Sequence, residues 1–273
     1  MKKRLYTVLT LIFLAVFLVS GYFLIRYYLN SHKHQSEFQE LLGIVEANRN
    51  PTVSDDVQLS AFVEVTDPDT GLTMRVLREY APLYERNSDF SGWLKIEDTK
   101  INYPVMHTPD RTDYYLHRSF EKKQSNHGCL YAREECDLLT PSDNITIYGH
   151  NMKDGSMFAP LLSYKNRSFY ERHRYIQFDT LLSRNAYEVV AVFLTTATMG
   201  EGFAYHRFVD AETAEEFDNY ISTCKALSYY DTGITPHYGD KLITLSTCDY
   251  SVTNGRLVVV AVLRTSPMST VAP

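Results

Sequence analysis

The sequence predicts a mainly β domain with a few helices, an α+β chain held at a membrane, and three observations carry that prediction. From residue 92 onward the chain falls into about eight short β-type runs divided by turns. Aromatic residues are plentiful, with 21 Tyr and 14 Phe, a composition that suits strands. One amphipathic helical pattern, at 211–229, interrupts the runs. Strands this short and this evenly spaced build a barrel or a sandwich rather than alternating βαβ units.

Residues 5–25 contain no charged side chain and are long enough to cross a hydrocarbon core of roughly 30 Å as a helix. Lys2, Lys3 and Arg4 precede them, which predicts a cytoplasmic N-terminus, 1–4, and an extracellular remainder. A cleaved leader would end in a small-x-small site, whereas Gly21 is followed by Tyr22, Phe23 and Leu24, so an uncleaved single-pass anchor in the cell membrane is expected. Phe38, Leu41, Leu42 and Val45 recur at helical spacing within 32–48 and mark a polar stalk helix that Asn50-Pro51 breaks. The segment 53–70 is acidic and ends in the turn signal Asp67-Pro68-Asp69-Thr70-Gly71. A second short helix is predicted over 74–84. The stalk and linker thus occupy 26–84, the β domain 85–267, and a tail 268–273.

Within the barrel region the β-type runs are 92–96, 101–106, 128–132, 144–148, 175–178, 187–195, 241–246 and 256–263. In the helix at 211–229, Phe217, Tyr220, Ile221, Cys224 and Leu227 share one face, so Cys224 reads as a small core residue.

The formal charge of the whole chain is −6, and because its first 26 residues carry four cations and no acid, the exported part is more acidic still. That excludes a nucleic-acid binder, which needs clustered cations. The four cysteines, Cys129, Cys136, Cys224 and Cys248, show no Cys-x-x-Cys and no paired histidines, so neither a metal nor any other cofactor is expected. In an exported protein their even number leaves disulfides open.

Two strand ends carry chemistry. The run 241–246 leads to Cys248, and the polar loop after it returns into a second β run that opens with Arg256. If these strands are neighbours, Arg256 comes back beside the thiol, giving the electropositive, partly exposed setting of a reactive cysteine. The run 144–148 ends in Gly149-His150. With ordinary pKa values near 8.5 and 6.5, only about 3% of thiols and a quarter of imidazoles are charged at pH 7. A charged pair therefore needs a permanent cation nearby, and Arg256 supplies one. Taken singly, a cysteine in an apolar strand is more often core, and any one of nine histidines more often a surface residue.

Leu245-Ser246-Thr247-Cys248 resembles the Leu-x-Thr-Cys nucleophile motif of the sortase family. Tyr148-Gly149-His150 is similar to that family's histidine segment, and Arg256 leading into Leu257-Val258-Val259-Val260 to its arginine strand. The resemblance covers roughly 92–265, including Gly92-Trp93-Leu94-Lys95-Ile96, Ile101-Asn102-Tyr103-Pro104-Val105 and Gly155-Ser156-Met157-Phe158, and the helix before the cysteine strand resembles the insertion of class B. It implies a closed β-barrel and a cysteine transpeptidase with Cys248, His150 and Arg256 as catalytic residues. It also implies substrate contacts at Leu116, Tyr148, Ser246, Thr247 and Asp249. The implied partners are secreted proteins bearing a C-terminal sorting signal, cut after threonine, and an amine of a peptidoglycan precursor in a Gram-positive cell wall. A pilus-type member would use a subunit lysine as the acceptor instead, but the weak Asp67-Pro68-Asp69 is the nearest thing to a lid motif, which favours wall attachment.

Two rivals differ in kind. Ser125-Asn126-His127-Gly128-Cys129 resembles the Ser-His-Gly-Cys motif of L,D-transpeptidases, but Asn126 separates serine from histidine and Tyr131 stands where an arginine belongs. A membrane-anchored binding domain with an inert Cys248 would leave the three matched motifs unexplained.

Overall fold

The computed structural model describes residues 2–49, 60–67, 70–198 and 200–264, and the chain divides into two compact units, Met1–Leu41 and Leu42–Pro273. The break predicted at Asn50-Pro51, part of the acidic segment 53–70, the centre of the Asp67-Pro68-Asp69 turn and the tail 268–273 lie outside the described residues.

The first unit is one helix. α1 runs without interruption over Lys2–Arg49, so the predicted span and stalk are one element, because residues 26–31 contain no proline or glycine to end it. Among the described residues it is the one helix long and apolar enough to cross a membrane. In its first half the apolar side chains are exposed all round, Phe13, Phe17 and Leu24 among them, a pattern compatible with a membrane span.

The second unit opens with a hairpin. β1 (Phe62–Thr66) pairs antiparallel with β2 (Thr73–Leu77), Val63 opposite Val76. The turn between them is closed by Asp67 N–H on the Leu72 carbonyl at 2.8 Å. The helix predicted over 74–84 is therefore corrected: its first part is a strand, and helical structure begins only with a 3₁₀ turn at Arg78–Tyr80 and α2 at Ala81–Arg86. Val76 and Leu77 are buried, and pairing with a β-branched neighbour outweighs the helix-compatible spacing.

All eight predicted runs are strands, and they close into a barrel. They are β3 (Phe90–Lys95), β4 (Asn102–Met106), β5 (Leu130–Ala132), β6 (Asn144–Tyr148), β7 (Tyr175–Thr180), β8 (Ala186–Thr196), β9 (Leu242–Asp249) and β10 (Gly255–Arg264). The order around the barrel is β10-β8-β7-β3-β4-β5-β6-β9, with β9 and β10 paired to close it. Most pairs are antiparallel; β4–β5 and β6–β9 are parallel.

Between β8 and β9 the chain crosses over one wall of the barrel. This crossover carries α4 (Ala214–Leu227), started by Thr213, whose hydroxyl accepts the Glu216 N–H at 3.2 Å. Phe217, Tyr220, Ile221 and Cys224 of α4 pack with Val190, Phe193, Leu242, Val258, Val260 and Val262. Burying each large side chain contributes about 1.5–3 kcal/mol, so this layer is a second core outside the barrel. Leu227, expected on the same face, is 44% exposed because the helix ends there. α3 (Arg167–Arg172) is a short helix ahead of β7.

Candidate active site

The strand register brings the predicted residues together. In the β9–β10 ladder Cys248 is directly opposite Arg256, and Arg256 is in turn opposite Thr195 of β8. In the parallel β6–β9 ladder Tyr148 is opposite Ser246. Two residues beyond that pair lie Cys248, still within β9, and His150, just past the end of β6. Cys248 and Arg256 thus sit side by side near the end of the barrel, and the His150 segment follows the strand that neighbours β9.

The ladder continues past the end of β6. Gly149 N–H donates to the Ser246 carbonyl at 3.2 Å, and the Thr247 hydroxyl donates to the Gly149 carbonyl at 2.8 Å. Asn151 Nδ2 donates to the Cys248 carbonyl at 3.0 Å, tying the histidine segment to the cysteine's own backbone. Glycine is required at 149, where a Cβ would come within 2.4 Å of Leu130 Cδ2 and 2.7 Å of Phe158 Cδ2.

His150 is half-buried, and its Nε2 lies 2.8 Å from the Leu116 carbonyl. A carbonyl only accepts, so Nε2 carries the proton of the neutral ring and Nδ1 holds the basic lone pair. Burial pushes the imidazole pKa down; the Leu116 carbonyl opposes this, and His117 and His127 reinforce it. The His117 ring stacks on that of His150 at 5.5 Å with a 30° tilt. The neutral ring is thus favoured, and the permanent charge near Cys248 belongs to Arg256. The guanidinium is half-buried and oriented by Nη1 on the Gly255 carbonyl at 3.0 Å.

The predicted substrate contacts divide. Leu116 and Tyr148 are partly exposed, and it is the backbone carbonyl of Leu116 that holds His150. Ser246, Thr247 and Asp249 are 1%, 2% and 3% exposed, and their side chains turn to partners inside the fold. Ser246 Oγ lies 2.6 Å from the Tyr205 hydroxyl, and Asp249 pairs with Lys165 while accepting the Ser251 N–H and hydroxyl at 3.0 and 2.6 Å. The pleat and the loop turn these three side chains into the protein. Burial alone would raise the Asp249 carboxyl, but Lys165 and Ser251 outweigh it and hold the group below its usual range.

Asn151, Lys165 and Tyr205 were not foreseen. Only Asn151 had a signal, its place directly after His150. The other cysteines differ from Cys248, which is half-buried, while Cys129, Cys136 and Cys224 are buried and all four are free thiols. Burial pushes Cys136 up to about 11 and Cys224 up to about 12, so neither is a thiolate at neutral pH.

Two large cavities open on the barrel. One of about 870 Å³ is lined by Thr195, Thr196, Gly202, Phe203, Leu227 and Val252, and through Thr195 it adjoins Arg256. The other, about 920 Å³, is lined by residues such as Asp89, His107, Arg111 and Leu138 and contains no member of the catalytic group.

A sortase domain model matches residues 94–264. The chain is 32% identical over 256 residues to a sortase B of Listeria monocytogenes serovar 1/2a, covering 92% of this chain and 93% of that one. It is 26% identical over 261 residues to a sortase B of Staphylococcus aureus, covering 95% and 96%. Among solved structures, sortase B of Bacillus anthracis in complex with AAEK1 matches with a TM-score of 0.68 at 28% identity, over 86% of this chain and 98% of that one. A Staphylococcus aureus sortase B–substrate complex shares the fold with a TM-score of 0.70 over 87% of this chain and all of that one. The matched span takes in the barrel from β3 to β10, and the chain belongs to the sortase family as a cysteine transpeptidase of class B.

Proposed function

We propose that this chain cleaves the C-terminal sorting signal of secreted proteins after threonine and transfers the new carboxyl end to an amine of a peptidoglycan precursor. The observation that supports the catalytic assignment is the register that sets Cys248 opposite Arg256, with His150 following the strand paired to β9.

The Cys248 sulfur attacks the carbonyl carbon of the scissile threonine, and the carbonyl oxygen becomes an oxyanion. Arg256 stabilises first the thiolate and then that oxyanion, a role worth roughly 10²–10³ in rate. His150, protonated as the thiol ionises, gives its proton to the leaving nitrogen as the C–N bond breaks, leaving a thioester on Cys248. The incoming amine attacks the thioester, His150 takes a proton from it, and the C–S bond breaks to return the thiol. Because the Leu116 carbonyl holds Nε2–H, Nδ1 performs both transfers. The cavity beside Arg256, with Phe203, Leu227 and Val252 in its walls, suits an extended peptide, and Leu116 and Tyr148 flank the scissile residue. α1 anchors the chain through residues 5–25, with 1–4 cytoplasmic and the barrel, 85–267, outside the membrane.

The test uses the full chain in detergent with a panel of quenched fluorescent sorting-signal peptides containing threonine. Cleavage after threonine is expected, with transfer to an added wall-peptide amine and complete loss in Cys248→Ala. Turnover retained by that variant would remove the nucleophile assignment.

A further inference from the structure

The segment Ser125-Asn126-His127-Gly128-Cys129 has no place in the reaction described above, yet it touches the His150 loop at two points. The first runs through Leu116. Gly128 has φ +59°, and a Cβ there would meet the Leu116 oxygen at 2.4 Å and the Tyr115 oxygen at 2.6 Å. Only glycine lets 127–129 lie against the backbone that receives the His150 Nε2 proton, and Cys129 N–H on the Tyr115 carbonyl at 3.0 Å fastens it there.

The second point is His127 itself, 2% exposed. Its Nε2 lies 3.1 Å from Asp154 Oδ2, and since a carboxylate accepts, Nε2 donates. The other carboxylate oxygen of Asp154 accepts the Ser156 N–H and hydroxyl at 3.0 and 2.6 Å. Asp154 lies four residues beyond His150, on a loop that folds back through Phe158 N–H on the His150 carbonyl at 2.8 Å. One stretch of chain thus grips the loop at its catalytic end and at its bend.

We propose that His127 and Asp154 are positioning residues for His150, their buried contact fixing the loop 150–158 so that the imidazole keeps its Leu116 partner and its aim at Cys248. The inference rests on the reading of His150 as the acid–base residue. It gives the chain a second histidine that touches no substrate and acts through the first, in the way that outer partners orient the ligands of a catalytic centre.

The experiment measures turnover of the quenched fluorescent peptides by the full chain in detergent, with thermal melting of each variant alongside. His127→Phe fills the space without the hydrogen bond and is expected to lower kcat roughly 10–100-fold, the usual effect of removing such a partner, with little change in KM. His127→Gln, whose amide can still donate to Asp154, should recover most of that loss. On a His150→Ala background His127→Phe should cost nothing further, because residues acting as a unit are not additive. Should His127→Phe fail to fold, Asp154→Ala takes its place, with Asp154→Asn as the conservative partner. Native turnover in His127→Phe, failure of the Gln rescue, or an equal loss on both backgrounds would overturn the proposal. Full turnover in His150→Ala alone would instead strike at the catalytic reading beneath it.

Discussion

The wall formed by β9 and β10 has two regions that differ only in what covers them. Along its middle, Thr244, Ser246, Val258, Val260 and Val262 are buried, and the crossover with its Cys224, Phe217 and Tyr220 covers that stretch. One step further along the same face, at Cys248 and Arg256, the residues are only half-buried. Cys224, the thiol of the cover, is buried and pushed up to about 12, and is a small apolar side chain in all but name. The thiol at the strand end keeps Arg256 opposite it in the ladder. The cover ends one pleat short of Cys248, the nucleophile proposed above.

The largest effect that probes this contrast is Cys248→Ala, which should abolish peptide cleavage while the melting temperature stays near that of the native chain. Arg256→Lys retains the charge but loses the planar fork, and should lower kcat about 10²-fold; a change under threefold in peptide assays would mean that charge alone suffices. The pH profile tests His150. With its pKa held below 6.5, the neutral base persists to lower pH than in an ordinary histidine, so the acid limb of kcat/KM should fall below about pH 6.5. A limb above that value would mean that the imidazolium is favoured instead.

Lys165→Met should destabilise the loop after the nucleophile. The Asp249 carboxyl is depressed from its ordinary 3.8, so the stability it contributes is present above that value and lost as pH falls through the lower folded value. Melting temperatures of native and Lys165→Met chains should therefore differ at neutral pH and converge in acid. The smallest effect is that of Cys224→Ala, about 1 kcal/mol of stability in denaturant titration with turnover unchanged. Lost turnover there would erase the distinction between the covered and open regions.

Much of this was readable in the chain itself. The eight runs of the barrel are dense in β-branched and aromatic residues between polar turns, and each became a strand within a few residues of its expected ends. His150, Cys248 and Arg256 stood out as candidates because each stands at the end or start of such a run. What escaped depended on pairing across the fold. Thr73–Leu77 became a strand because β1 lies beside it, and nothing within 74–84 announces that partner. Ser246, Thr247 and Asp249 were read as lining residues because their direction depends on Tyr205, Gly149 and Lys165, none of them near in sequence. The same holds for His127 and Asp154, which lie 27 residues apart.

The parallel pairing of β6 with β9 has a consequence for the chain as it is made. Cys248 and Arg256 sit on the final two strands among the described residues, whereas His150 follows β6. During synthesis the histidine, its Leu116 carbonyl and the crossover all emerge first, the thiol follows, and Arg256 comes after it. Because β6, β9 and β10 are neighbours only in the closed barrel, an unfinished chain does not yet hold the three proposed catalytic residues together. On that proposal, closing the barrel and assembling the site are one event.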